Sequence, residues 1–330
     1  MKIYIIFFLI ICSLLNSCRL FKRETVSDNL VLENYQPFKD GTMAVKLPEQ
    51  AALKLENNLP RLDGATALYP LYSAFVQAIY PEGEYNQYEI YDYRNTSGIS
   101  PLVRASGTSI AYNALIRGEA DIIFCAGPSD DQIEYAGENG IVFNLTPIGK
   151  EAFVFFVNNR NPVSSITIEK LINIYSGRIT NWNELGGRNE KIRVFQRAKN
   201  SGSQTMLESI MGAENIIPPI TENVLTFMLG IIERTADYRN YRNAIGYSFL
   251  FFTTQMVQNN SIKLLSINDI FPSIETIKTG EYPFVDHFYA ITANTENENV
   301  NMFIEWILSE QGQYLVEKTG YVPYKIKKGY

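Results

Sequence analysis

From Asp63 onward, short apolar runs alternate with helically patterned segments, and Gly, Pro and Asn punctuate the joins. That alternation constrains the chain more than any other feature, because it is the βα pattern of an α/β fold. Strands are predicted at Ile122–Ala126, Ala152–Asn158, Ile192–Phe195 and Ile245–Phe251. Helices are predicted at Tyr69–Tyr80, Ser109–Gly118, Ile168–Tyr175, Gln204–Met211 and Val300–Leu308, the last continuing toward Lys318. No repeat of fixed period and no low-complexity tract interrupts the pattern. The 330 residues are enough for two domains or lobes at about 100–200 residues each.

Composition narrows the chemistry. Hydrophobic residues make up 46% and charged residues 19%, so sizeable cores can form. The net charge of -6 provides no positive field for a nucleic-acid backbone, which excludes general nucleic-acid binding. One histidine, His287, and three cysteines cannot readily assemble a His/Cys zinc site. Only a carboxylate metal site stays open, and neither a metal nor a cofactor is expected.

The N-terminus reads as an address. Lys2 precedes an almost unbroken apolar run, Ile3 to Leu15, that is shorter than the roughly 20 residues a spanning helix needs. The run ends in Leu15-Asn16-Ser17-Cys18, which resembles a bacterial lipobox. Residues 1–18 are therefore expected to be a lipoprotein signal peptide, with Cys18 acylated and the protein held outside the cytoplasm on a lipid anchor. Cys12 would leave with the signal, and Cys125, inside Asp121-Ile122-Ile123-Phe124-Cys125-Ala126, would remain as a small buried hydrophobe. Residues 19–52 lack periodicity and are expected to form a tether.

Three turns carry more than fold. They are Asp63-Gly64-Ala65-Thr66-Ala67, Ala105-Ser106-Gly107-Thr108-Ser109 and Arg197-Ala198-Lys199-Asn200-Ser201-Gly202-Ser203, each opening a helix. Any one could be ordinary N-capping. Together they can surround a tetrahedral oxyanion, because first-turn N–H groups are unpaired and carry the positive end of the helix dipole. Hydroxyls add donors, small residues admit close backbone approach, and Arg197 adds a planar fork.

At these residues the chain resembles the phosphate-binding lipoproteins of ABC transporters, in the type II periplasmic-binding-protein superfamily. The markers are Gly64-Ala65-Thr66, Ile148 to Asn158, Ile174 to Trp182, Arg197 with Ser201-Gly202-Ser203, Ala244 to Ser248, and Gly320-Tyr321-Val322-Pro323, in order over about Leu59 to Lys325. The resemblance implies two α/β lobes on a two-strand hinge with the ligand in the cleft between them. Lobe I would comprise 53–150 and 251–330, and lobe II 151–250. It implies that Thr66, Ala67, Thr108, Ser109, Arg197, Ser201, Gly202 and Ser203 bind the anion, with Asp63 as a further candidate. It implies capture of inorganic phosphate by a monomer and delivery to an ABC permease, with no catalysis. The alternative is a lipid-anchored sensor, or a binder of another oxyanion, on the same fold.

The departure from the family is Ala126, which stands where an aspartate would accept the proton of hydrogen phosphate. Asp63, Asp130 or Asp131 could replace it, although Ser129-Asp130-Asp131 also reads as a solvated helix start. Trp182 is expected to pack, His287 to be a packed or surface side chain, and the Lys325-Ile326-Lys327-Lys328 tail to be solvated. A hydrolase is disfavoured by the lack of a Gly-x-Ser-x-Gly elbow and by the single histidine.

Overall fold

The computed structural model describes residues 31–85 and 102–324. The signal segment with Cys12 and Cys18, and the Lys325–Lys328 tail, lie outside them. An eight-stranded sheet organises the rest. Its strands are β1 (Leu62–Gly64), β2 (Ile122–Cys125), β3 (Asn144–Asn158), β4 (Arg193–Val194), β5 (Ala244–Phe249), β6 (Ile262–Leu264), β7 (Val285–Thr292) and β8 (Val322–Pro323). The path runs β1-β2-β7-β3-β5-β4, with β6 and β8 also on β3.

β3 is the structural axis. Its first half pairs antiparallel with β7 and β8, and its second half with β5 and β6. Each half serves a different core. One buried cluster gathers Leu62, Phe75, Phe124, Phe303 and Trp306. The other gathers Phe153, Phe155, Tyr175, Trp182 and Tyr247. The chain is thus two α/β lobes joined where Ala152 of β3 faces Val285 of β7, a two-strand hinge. The apolar run Ala152–Val157 is wholly buried, as a strand covered on both faces requires.

Helices flank both halves: α1 (Tyr69–Ile79), α2 (Thr108–Ile116), α3 (Asp130–Glu138), α4 (Ile168–Tyr175), α5 (Gly202–Met211), α6 (Met228–Ala236), α7 (Asn299–Ile307) and α8 (Glu310–Thr319). Pro70 sits in the first turn of α1, where its missing N–H costs nothing. Ser129 and Gln132 form a reciprocal capping box on α3. No helix among the described residues is long and apolar enough to cross a membrane.

Three expectations need correction. The long C-terminal helix is two helices, because the Ser309 hydroxyl accepts from Gly312 N and starts α8 afresh. The segment read as a tether packs on the first lobe from Val31 onward: Leu32, Tyr35 and Ala51 are buried in its core, and the Ser73 hydroxyl of α1 donates to Tyr35 O. Isolated apolar residues without a period give no sequence signal, yet these join the first core. Finally, the return to the first lobe was expected at 251, but Phe252, Leu265, Ile267, Ile277, Tyr282 and Phe284 all pack in the second core. The chain crosses the hinge at Val285, which still packs against that core.

Close approach fixes the β1–β2 edge. A Cβ at Gly64 would stand 2.5 Å from the Phe124 carbonyl oxygen, a backbone atom that cannot swing away. Gly64→Ala is expected to destabilise the protein by about 1–3 kcal/mol, read as a lowered urea midpoint. An unchanged midpoint would contradict this packing.

Candidate functional site

The C-terminal ends of β1 and β2 present two of the loops singled out in the sequence. Ala65 N donates to Phe124 O at 2.9 Å and Gly107 N to Gly64 O at 3.0 Å, so both loops are pinned to the strand ends. Gly107, at φ 90°, then starts α2 with no side-chain cap, leaving its first-turn N–H groups open. From the other lobe, α5 starts at Gly202. The Ser201 hydroxyl accepts only from Gln204 N, at 3.4 Å, and the buried Ser203 hydroxyl has no hydrogen-bond partner among the described residues.

The two helix starts meet. A Cβ at Gly202 would lie 2.8 Å from Thr108 Oγ1, so a larger residue there would have to push the Thr108 hydroxyl aside. Ala65, Ala67, Thr108, Ala126 and Gly202 line a cavity of about 20 Å³ between the lobes, with Glu151 on its hinge side. Two helix dipoles thereby point their positive ends at one small, desolvated space, which favours an oxyanion. Of the expected residues, Ala67, Thr108 and Gly202 line this cavity. Thr66, Ser109, Ser201 and Ser203 are their immediate chain neighbours.

Arg197 does not line the cavity. It is buried beside α5, where its backbone N–H donates to Gln204 Oε1 and to the Tyr247 hydroxyl, at 3.0 and 2.8 Å. Its Nε and Nη2 donate to the carbonyls of Leu225 and Thr226, at 3.0 and 2.8 Å. The two bonds to the carbonyls hold the guanidinium plane in place.

Asp63 turns inward, away from the cleft. It is fully buried, and its carboxylate accepts from Gly64 N at 2.8 Å, Ser106 N at 2.9 Å and Ser106 Oγ at 2.7 Å. Arg104 Nε lies 3.2 Å from Oδ2. Burial pushes this carboxyl upward, opposed by Arg104 and the Ser106 and Gly64 donors. Asp63 therefore ties the first loop to the second and does not line the cavity, which departs from its expected place beside the anion. Nor does either helix-start aspartate reach the cavity.

Asp131 instead meets Lys199 Nζ at 2.6 Å, and that ammonium holds its carboxyl below the usual range. Next to it, Asn200, at φ 65°, receives a hydrogen bond from Ser129 Oγ at 2.9 Å on its side chain and from Gln132 Nε2 at 3.2 Å on its carbonyl. This clasp joins α3 of one lobe to the loop before α5 of the other. Sequence reasoning missed it, because its partners lie 68 and 71 residues apart and no local pattern links them.

Other residues fall as expected. Trp182 is buried with its Nε1 donating to Asn243 O at 2.8 Å. His287 is half-buried on β7, where burial and Lys150 push its imidazole down. Cys125 is a free, buried thiol that burial pushes up. Glu151 was overlooked as a site residue, although a lone acid opening an apolar strand run was a visible signal.

A two-lobed sheet with a two-strand hinge and opposed helix starts at the lobe junction defines the class of hinged solute-binding proteins. The family model for the PBP superfamily domain matches residues 60–311, and the chain belongs to that superfamily. The phosphate-binding protein PstS of Borreliella burgdorferi is 27% identical over 228 residues, 67% of this chain and 78% of that protein. Protein SphX of Synechococcus elongatus is 24% identical over 285 residues, 80% of this chain and 77% of that protein. Among solved structures, a candidate phosphate ABC transporter substrate-binding protein from Clostridium perfringens, with bound phosphate, superposes with a TM-score of 0.62. It is 22% identical and covers 81% of this chain and 99% of its own.

Removing the Asp63 carboxylate strands a buried guanidinium. Asp63→Ala is expected to cost about 3–5 kcal/mol of stability in denaturant unfolding. Wild-type stability combined with weakened anion binding would instead mark Asp63 as a ligand contact.

Proposed function

We propose that this protein captures inorganic phosphate outside the cytoplasm by closing its two lobes on the anion, and hands it to an ABC permease. The observation that carries this reading is the meeting of the α2 and α5 starts at Thr108 and Gly202, one from each lobe. An anion between them is bound by both lobes at once, so binding energy goes into closure. Thr66, Ala67, Thr108, Ser109, Ser201, Gly202 and Ser203 supply neutral donors in this reading, and Arg197, which stands outside the cavity lining beside α5, is proposed to supply the cation. The relative named as a phosphate-binding protein over two thirds of the chain supports phosphate as the anion. The superfamily is one of solute-binding proteins, and nothing in this site calls for catalysis.

The first lobe in this reading comprises about residues 31–152 and 285–324, and the second about 153–284. The apolar run Ile3–Leu15 followed by Ser17-Cys18 supports an acylated Cys18 as the membrane anchor. The protein is read as a monomer. A second reading, another oxyanion on the same frame, is favoured by one observation: Ala126 offers the cavity a methyl group where a proton acceptor would discriminate among anions.

Calorimetric titration of the chain from Arg19 onward, freed of bound anion, decides between these. Saturable phosphate binding supports the leading reading, tighter binding of another oxyanion supports the second, and binding of neither overturns both. Arg197→Ala is expected to weaken phosphate binding at least about tenfold, since a charge-assisted bond contributes roughly 1.5–3 kcal/mol. Undiminished affinity would remove Arg197 from the site.

A further inference from the structure

Among the side chains at the interlobe cavity, Glu151 is a buried carboxyl group that the proposed binding mechanism leaves unused. It opens the second half of β3 at the hinge, and it lines both the interlobe cavity and a larger cavity of about 500 Å³ on the hinge side. Only its Oε1 is engaged among the described residues, accepting from Phe251 N at 2.7 Å. That bond fixes the carboxyl in place while leaving Oε2 available. Of the neighbouring acids, Asp63 is tied off behind the loops, and Asp286, opposite Glu151 in the β3–β7 ladder, also lines the interlobe cavity but is exposed to solvent and accepts from His287 N.

We propose that Glu151 is the carboxyl group that reads the protonation of the bound anion, setting which oxyanions the cleft accepts. This rests on the reading of the cleft as an oxyanion site. The chemistry follows from proton bookkeeping. A protonated Glu151 donates a hydrogen bond to any oxyanion. An ionised Glu151 accepts one from an anion that still carries a proton, as hydrogen phosphate does, and repels one that carries none, as sulfate does.

Burial pushes the Glu151 carboxyl up to about 8, partly offset by the Phe251 N–H. The switch between the two modes therefore falls at mildly alkaline pH. His287 is pushed down, away from the window, and Tyr321 is pushed well above its ordinary value. Lys150 and Lys318 bring positive charge from β3 and α8, and Asp286 brings negative charge from β7.

Above the Glu151 midpoint, sulfate must bind together with a proton, so its affinity falls by up to tenfold per pH unit. Phosphate brings its own proton and is spared that loss. The test is titration of the wild-type chain with sulfate and with phosphate from about pH 7 to about pH 9.5, in parallel with Glu151→Gln. The amide keeps the bond from Phe251 N and donates to either anion without titrating. The expected result is a phosphate-over-sulfate ratio that climbs with pH in the wild type and is flat, and at least about tenfold lower at pH 9, in the variant.

If the wild type takes no measurable sulfate at any pH, a gain of sulfate binding in Glu151→Gln supports the proposal and no gain overturns it. A pH-independent ratio in the wild type overturns it without any variant, should Glu151→Gln fail to fold. Intact phosphate binding with a variant indistinguishable from wild type refutes the role of Glu151 alone. Failure of the wild type to bind either anion refutes the oxyanion reading and this inference with it.

Discussion

The pairing of Asn144–Asn158 with Val285–Thr292 is the constraint on which the rest of the structure depends. One fifteen-residue strand gives its first half to one core and its second half to the other, so neither lobe's sheet is complete without it. The junction between the halves is narrow: Ala152 faces Val285, and beyond them the two clusters of buried side chains separate. Two strands resist sliding through their hydrogen-bond ladder but bend and twist at modest cost, which makes rotation of one lobe against the other the soft motion of this fold. The interlobe cavity lies beside that hinge with residues of both lobes in its walls, so the rotation opens and closes it.

An anion-binding cleft in a protein of net charge -6 needs a local solution. Beyond a Debye length of about 8 Å the protein's own charge is largely screened at physiological salt, and inside that distance the nearest groups decide. Here they are the first-turn N–H groups of α2 and α5 and the hydroxyls beside them, fixed in direction before any ligand arrives. Asp63 belongs to the same logic from behind. Its carboxylate collects Gly64 N, Ser106 N and Ser106 Oγ, and Arg104 balances its charge, so the loop geometry is set by a buried pair that never enters the cleft. A negative charge can thus organise an anion site, provided it is neutralised and pointed away.

Much of this was legible in the sequence, and what escaped has a physical reason. The βα alternation and the three hydroxyl-rich turns are local signals, and Thr108 and Gly202 do meet across the cleft. The orientation of Asp63 is not local: whether its carboxyl faces ligand or core depends on Arg104 and Ser106, some forty residues away. The extension of the second core through Phe284 was hidden likewise, because Leu265 and Ile277 read as apolar positions without saying which lobe they join. The clasp between Asn200 and Ser129 was least visible. Polar side chains at helix starts look alike whether they cap their own helix or reach another, and Ser129 does both.

That clasp also bears on how far the two lobes favour the closed form. The Lys199–Asp131 pair is solvent-exposed, a setting in which ion pairs contribute little, and the Asn200 bonds to Ser129 and Gln132 are of the ordinary neutral kind. A clasp of that strength biases closure without locking it. A ligand moves the equilibrium from mostly open to mostly closed only by the difference in its affinity for the two forms, so most of the closing energy has to come from the anion itself. Weak interlobe contacts keep the empty protein from closing unoccupied, and they leave the closed form within reach of a partner that pulls the lobes apart. Strengthening the clasp would raise affinity and slow release together, which for a carrier is a loss of function.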